Sequence, residues 1–260
     1  MSALYPQNWT AYFQILIVFL RGLGLFLMVP VFSHRAVPAR IKVALALTMS
    51  LALYPMVQAS LPPLPSDLEE LTLLILRESA IGWLMGFAAY ITFEAISLGA
   101  QFAGAQMGFS SAAIPDPQYQ GTSSLVPLQS WLAIMVFLLA DMHHQLIIVF
   151  VKSFSLTSAL GQVSMDTPRF LNTLIVMTSK LFWLAIQIAA PFTVLVLCCN
   201  AVIGVLSRLM PQMNVLLFSF PVTMLLGLAA LYLFAPDLLS VIENALGEAS
   251  GDMLTMLRAL

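Results

Sequence analysis

Between Ser66 and Ile114 the chain has no proline, and the run from Leu71 to Met107 inside it is predominantly apolar. As one helix that run would be roughly 55 Å long, at about 1.5 Å per residue, against a bilayer hydrocarbon core of about 30 Å. A helix that overshoots one crossing this far must bury its surplus length against other protein. Five more apolar runs accompany it: about Trp9 to Val31, Ile41 to Ala59, Leu125 to Val151, Phe170 to Leu209 and Val215 to Leu239. The run from Phe170 is similarly long, and Pro191 is expected to bend it.

Of the 260 residues, 60% are hydrophobic and only 8% are charged, where a soluble domain carries roughly 25% charged residues. The expected fold is therefore all-α and membrane-associated, with about six hydrophobic segments in a single domain over residues 1–260. A net charge of -2 argues against a nucleic-acid partner. The first basic residue, Arg21, already lies inside an apolar run, so the first segment reads as retained rather than as a cleaved leader. Cys198 and Cys199 are neighbours in an apolar run and point in different directions on a helix, which suits packing and not a disulfide.

The connections have recognisable chemistry. "SHRAVPAR" (Ser33 to Arg40) is basic and broken by Pro38. "LPPLPSDLEE" (Leu61 to Glu70) offers Ser66 as an N-cap with Glu69 three residues on, a capping-box spacing, and Glu69 and Glu70 suit the positive end of a helix dipole. Arg35, Arg40 and Lys42 would make the first connection cytoplasmic. Later connections show little asymmetry, with Lys152 and Arg169 on one and Arg208 on the next, so charge bias specifies the topology weakly.

Arg21, Glu78, Glu94, Asp141 and Lys180 fall in or near apolar segments, where an ionisable group costs at least about 2.5 kcal/mol at the bilayer centre. Two readings follow: an ion or proton path, or pairing between helices or subunits. The absence of a compact acid–base cluster in the sequence favours pairing. Gly82 with Gly86, and Gly104 with Gly108, form two G-x-x-x-G spacings on the third segment, with Ala100 one step earlier. That spacing lets helix backbones approach closely.

Catalytic chemistry is not evident. "ADMHHQL" gathers Asp141, His143 and His144, but adjacent histidines lie about 100° apart on a helix, unlike the i, i+4 pair of a zinc site. No metal site and no cofactor are expected there; interfacial residues at a helix end are. G-x-S-x-G, H-E-x-x-H and Walker-type glycine loops are all missing. Ser110, Ser111, Ser123 and Ser124 have no evident base, so the chain does not read as an enzyme.

"FLRGLGLFLMVPVFSHRAVPARIKVALALTMSLALYP" (Phe19 to Pro55) resembles the N-terminal signature of the FliR family, the flagellar export-gate proteins called SctT in virulence secretion systems. The resemblance is carried by Arg21, Gly22, Pro30, Val37, Pro38, Arg40, Ala44 to Leu47, and Pro55. "RESAIGWLMG" resembles the family's Glu-x-x-x-Gly helix at Glu78, Gly82 and Gly86. "GAQFAGAQMGFSSAAIPDP" resembles the glycine-rich stretch that ends in Asp116-Pro117. Pro191, Asn200, Gly204, Arg208 and "MPQMNVLLFSFP" resemble the C-terminal motif, with Ser219 standing where glycine is more usual. The agreement covers nearly the whole chain in order.

The resemblance implies long tilted hairpins that pack with FliP-like and FliQ-like subunits in a hetero-oligomeric helical export gate. An FlhB-like protein would attach on the cytoplasmic side, and unfolded flagellar proteins would pass through. The implied location is the bacterial inner membrane within the flagellar basal body, partly raised toward the periplasm. Arg21, Glu78, Glu94, Lys180 and Arg208 would pair within or between subunits. The resemblance also assigns a pore plug to the glycine- and proline-broken segment at about 108–124. Gly108 and Gly121 would be its hinges and Pro115 and Pro117 its helix stops. Ser110, Ser111, Ala112 and Ala113 offer little bulk. Phe109, Ile114 and Tyr119 would seal against apolar partners, with Asp116 beside the prolines and Met107 as an adaptable filler.

Two other classes stay open on the residues alone. One is a secondary transporter using Glu78, Glu94 and Lys180 as coupling charges, against which no inverted repeat is visible. The other is a scaffold without a pore-lining segment. The residues do not separate flagellar from virulence secretion.

Overall fold

The structure is a computed structural model of the chain and describes residues 7–33, 37–63, 65, 67–108, 125–159, 167–210 and 215–259. Its helices are α1 (Gln7–Met28), α2 (Pro30–Ser33), α3 (Ala39–Val57), α4 (Leu68–Gln106), α5 (Leu125–Leu139), α6 (Met142–Ala159), α7 (Thr167–Leu209) and α8 (Val215–Arg258), with one 3-10 turn at Gln58–Ser60. The described residues contain no strand. Among the described residues, five helices can cross a membrane by length and composition, and α5 with α6 make a sixth if they form one span.

The over-long run is one helix: α4 has 39 residues, about 58 Å at about 1.5 Å each. Glu69 and Glu70 stand in its first turn, where they oppose the helix dipole favourably. Ser66, the expected cap, lies outside the described residues. α5 and α7 each carry a proline in the first turn, Pro127 and Pro168; no intrahelical bond is lost there. α7 continues through Pro191 as one helix.

Two segments differ from the sequence reading. The run from Leu125 to Val151 breaks at Ala140–Asp141, where Asp141 takes φ 54°, a left-handed conformation that aspartate tolerates better than most residues. The final helix runs past Leu239 to Arg258. Its extension is amphipathic: Ile242, Leu246, Ala249, Met253 and Met256 are buried, at the three-to-four spacing of one helical face. Glu243, Glu248 and Asp252 lie between them and interrupt the apolar run.

The chain forms two compact units, residues 1–91, 141–177 and 247–260, and residues 92–140 and 178–246. In the first, α1 packs on α3, and the Tyr54 hydroxyl donates to the Gln14 amide oxygen at 3.0 Å. α1 also crosses α4 at glycines. A Cβ on Gly82 would collide with the Arg21 backbone, one on Gly24 would lie 2.9 Å from the Trp83 nitrogen, and one on Gly86 would lie 3.0 Å from the Leu25 oxygen. In the second unit, a Cβ on Gly99 of α4 would meet Ile188 of α7 at 2.8 Å, and Phe93 packs on Phe137 of α5 at 5.7 Å between ring centroids.

Gly82 therefore cannot carry a side chain, whereas a Cβ on Gly204 would meet nothing within 4 Å. Gly82→Ala is expected to lower the stability of the detergent-solubilised chain by about 1–3 kcal/mol through overpacking. Gly204→Ala is expected to raise it by about 0.5–1 kcal/mol, because alanine restricts the unfolded backbone. Thermal unfolding of the two variants side by side checks both signs.

Candidate functional site

Where α1 crosses α4, the Arg21 side chain is 1% exposed and Glu78 is 3% exposed. Glu78 lies one turn before Gly82, on the α4 face that the glycine presses against α1. The Arg21 Nε donates to Glu78 Oε2 at 2.8 Å, and Nη2 donates to the same oxygen. α6 completes the cluster. Arg21 Nη1 donates to Ser153 Oγ at 2.8 Å and Nη2 to Thr157 Oγ1 at 3.1 Å.

Ser153 and Thr157 are four apart and so share a helix face. Each spends its own hydroxyl proton on a carbonyl of α6, Ser153 on Phe150 at 2.6 Å and Thr157 on Ser153 at 2.9 Å. Their lone pairs are thereby turned to the guanidinium. The Phe154 ring lies 3.9 Å from the guanidinium carbon, a cation–π contact. A buried charge is tolerable only when paired and hydrogen-bonded, and Arg21 is both. The serine and threonine had no place in the sequence reading; their signal was two small hydroxyls, i and i+4, on one helix face.

The remaining charges of the sequence reading are not gathered here. Glu94 is half-buried on α4, Lys180 is exposed on α7, and Arg208 is exposed in the last turn of α7, where a cation suits the helix dipole. Asp141, His143 and His144 meet at the α5–α6 break, with His144 Nδ1 3.4 Å and His143 Nε2 3.9 Å from Asp141 Oδ1. The two imidazole centroids are 4.2 Å apart, closer than their angular separation on a helix suggests. Cys198 and Cys199 are free thiols.

The root of the interrupted segment lies in the second unit. α4 ends at Gln106, and Gly108 stands beyond it at φ 83°, a conformation glycine adopts without strain. Gly104 is inside the helix and Gly108 is not, so the second G-x-x-x-G does not share one helical face. A Cβ on Gly108 would meet the Phe220 ring at 3.2 Å. Met107 is fully buried, and its side chain fills the notch left by Gly227 of α8. Phe109, Ser110, Ser111, Ala112, Ala113, Ile114, Pro115, Asp116, Pro117, Tyr119 and Gly121 lie outside the described residues. One turn into α5, Gln129 is 2% exposed, and among the described residues neither amide atom has a hydrogen-bond partner.

The family described as bacterial export proteins, family 1, matches residues 12–249. The chain is 30% identical over 218 residues to the flagellar biosynthetic protein FliR of Caulobacter vibrioides, covering 84% of this chain and 86% of that one. It is 29% identical over 230 residues to FliR of Escherichia coli, with 88% and 87% covered. With FliR of Pectobacterium carotovorum it shares 28% over 254 residues, 96% and 95% of the two chains.

Removing one partner of the Arg21–Glu78 pair strands a buried charge, at a cost of about 3–5 kcal/mol. Arg21→Met and Glu78→Leu singly are expected to lower stability by that amount. The double variant, with both charges gone, is expected to lose much less than the sum. Thermal unfolding of the three variants in detergent reads the coupling; additive losses would show that the pair does not act as a unit.

Proposed function

The chain belongs to the FliR family of bacterial export proteins, and on that premise we propose that it is a non-enzymatic channel subunit of the flagellar export gate in the bacterial inner membrane. The observation that carries this is the family match over residues 12–249, which includes the whole of α3 to α7 and most of α1 and α8. In this reading the chain assembles with FliP-like and FliQ-like subunits, with an FlhB-like protein at the cytoplasmic side. Unfolded flagellar proteins pass through the assembly, which rises partly toward the periplasm.

The exposed apolar faces suit such an assembly. The most apolar windows of α7 and α8 are each only 22% buried, against 50% for α4. Lipid or neighbouring apolar helices must cover the rest. The transporter reading loses one of its coupling charges, since Glu78 is committed to Arg21 at 2.8 Å.

The segment at about 108–124 serves as the loop that helps close the pore. Support comes from its root and its composition. Met107 in the Gly227 notch and Gly108 beneath Phe220 give the loop a fixed origin, while its small residues and prolines keep it from extending α4.

Deleting residues 110–120 is expected to leave the gate assembled and to raise membrane conductance to ions and small solutes. Unchanged conductance in cells that hold the assembled gate would remove the plug from the proposal. Affinity purification of the tagged chain is expected to bring down FliP- and FliQ-like subunits; a stable lone monomer from native membranes would remove the assembly.

A further inference from the structure

Asp141, His143 and His144 are the one group of potential metal ligands that the described residues bring together, and all three stand in the first unit. Adjacent side chains on a helix diverge by about 100°, which is why the sequence argued against a site here. The backbone removes that objection. Asp141 precedes α6 in a left-handed conformation at φ 54°, and its carbonyl accepts the His144 N–H at 2.9 Å, closing the first turn of the helix. The Asp141 Oδ1 then lies 3.4 Å from His144 Nδ1 and 3.9 Å from His143 Nε2. One donor atom from each of the three residues lies within 4.8 Å of the others.

A tetrahedral divalent ion with bonds of about 2.0–2.2 Å holds its ligand atoms about 3.3–3.6 Å apart. The His144–Asp141 separation already has that value. The His143–Asp141 separation exceeds it by only a few tenths of an ångström, a shift within reach of side-chain torsions. His143 Nδ1 is buried and has no hydrogen-bond partner among the described residues, so the ring offers Nε2 to an incoming ion. Asp141 and His144 are exposed and His143 is half-buried, which admits an ion from solvent and leaves its remaining position to water.

The ligand chemistry selects the ion. Two imidazole nitrogens with one carboxylate suit Zn²⁺, Cu²⁺ or Ni²⁺, whereas Mg²⁺ and Ca²⁺ take oxygen ligands. The positive end of α6 opposes a cation, and the Asp141 carboxylate is the group that offsets it.

We propose that Asp141, His143 and His144 bind one divalent transition-metal ion, of which Zn²⁺ is the type, with water completing its coordination. The bound ion ties the left-handed Asp141 to the first turn of α6, the helix that carries Ser153 and Thr157 to Arg21.

The test uses the full chain in detergent, purified without a polyhistidine tag, stripped of metal and titrated with Zn²⁺ in competition with a chromophoric chelator. One Zn²⁺ per chain is expected, undisturbed by millimolar Mg²⁺. Asp141→Asn, His143→Asn and His144→Asn are each expected to weaken binding about tenfold or more, since losing even a group that only supports a ligand costs about 10–100-fold. Asparagine also tolerates a left-handed backbone, so Asp141→Asn removes the carboxylate and keeps the turn. His34→Asn and the Cys198→Ser/Cys199→Ser double variant, which remove the other histidine and both thiols of the chain, are expected to keep the ion. Cu²⁺ on the unaltered chain is expected to show coupling to two imidazole nitrogens by electron paramagnetic resonance, and to one in His144→Asn. Absence of Zn²⁺ uptake, binding unchanged in all three site variants, loss of the ion in the cysteine variant, or copper without imidazole coupling would each overturn the proposal.

Discussion

A guanidinium inside a bundle of apolar helices has few places it can be, and Arg21 fixes the rest of its surroundings. Its backbone lies so close to α4 that position 82 admits only glycine. One turn earlier the same face of α4 supplies Glu78, and the side chain that leaves α1 at the crossing meets its carboxylate at once. The close approach and the ion pair are therefore one feature. The glycine sets the distance between the backbones, and the pair sets the register, because sliding α4 by one turn would bury both charges unpaired. Ser153 and Thr157 extend the same logic to α6, whose hydroxyls accept from the guanidinium while donating to their own helix.

Much of this was legible in advance, but not the pairing itself. The proline-free run foretold α4 as one helix, since nothing in it stops the backbone ladder. Charges in apolar segments marked Arg21 and Glu78 as exceptional, because burial without a partner is too costly. Which charge meets which is a tertiary fact: 57 residues separate the two, and spacing carries no information across such a gap. The same holds for Gly24, Gly99 and Gly227, which lie in no G-x-x-x-G pair and are required by backbones or side chains from distant helices. The extension of α8 was hidden for another reason. The apolar run was ended at Leu239, whereas a period near 3.6 continues to Met256. Asp141 was read for its charge and not as a residue able to take φ 54° and end a helix.

The helices divide by what must cover them. α4 is apolar and half buried, so the chain itself satisfies much of it. α7 and α8 are more apolar and far less buried, with Phe182, Trp183, Ile186, Val194 and Leu197 among the exposed side chains of α7. Contiguous apolar surface of this extent is stable only against lipid or other apolar protein. The chain on its own is thus an incomplete core that lipid or other apolar protein must complete.

The end of α4 is held in place by one side chain and turned by the next residue. Met107 supplies the hold: its flexible thioether fills a notch on α8 that exists because residue 227 has no side chain. Gly108 then turns the chain out of the helical path at φ 83°, so that the residue after the anchor no longer follows the axis of α4. The anchor and the turn are consecutive residues. Anything that enlarges position 227 would evict Met107, so the end of α4 depends on α8 as much as on its own residues.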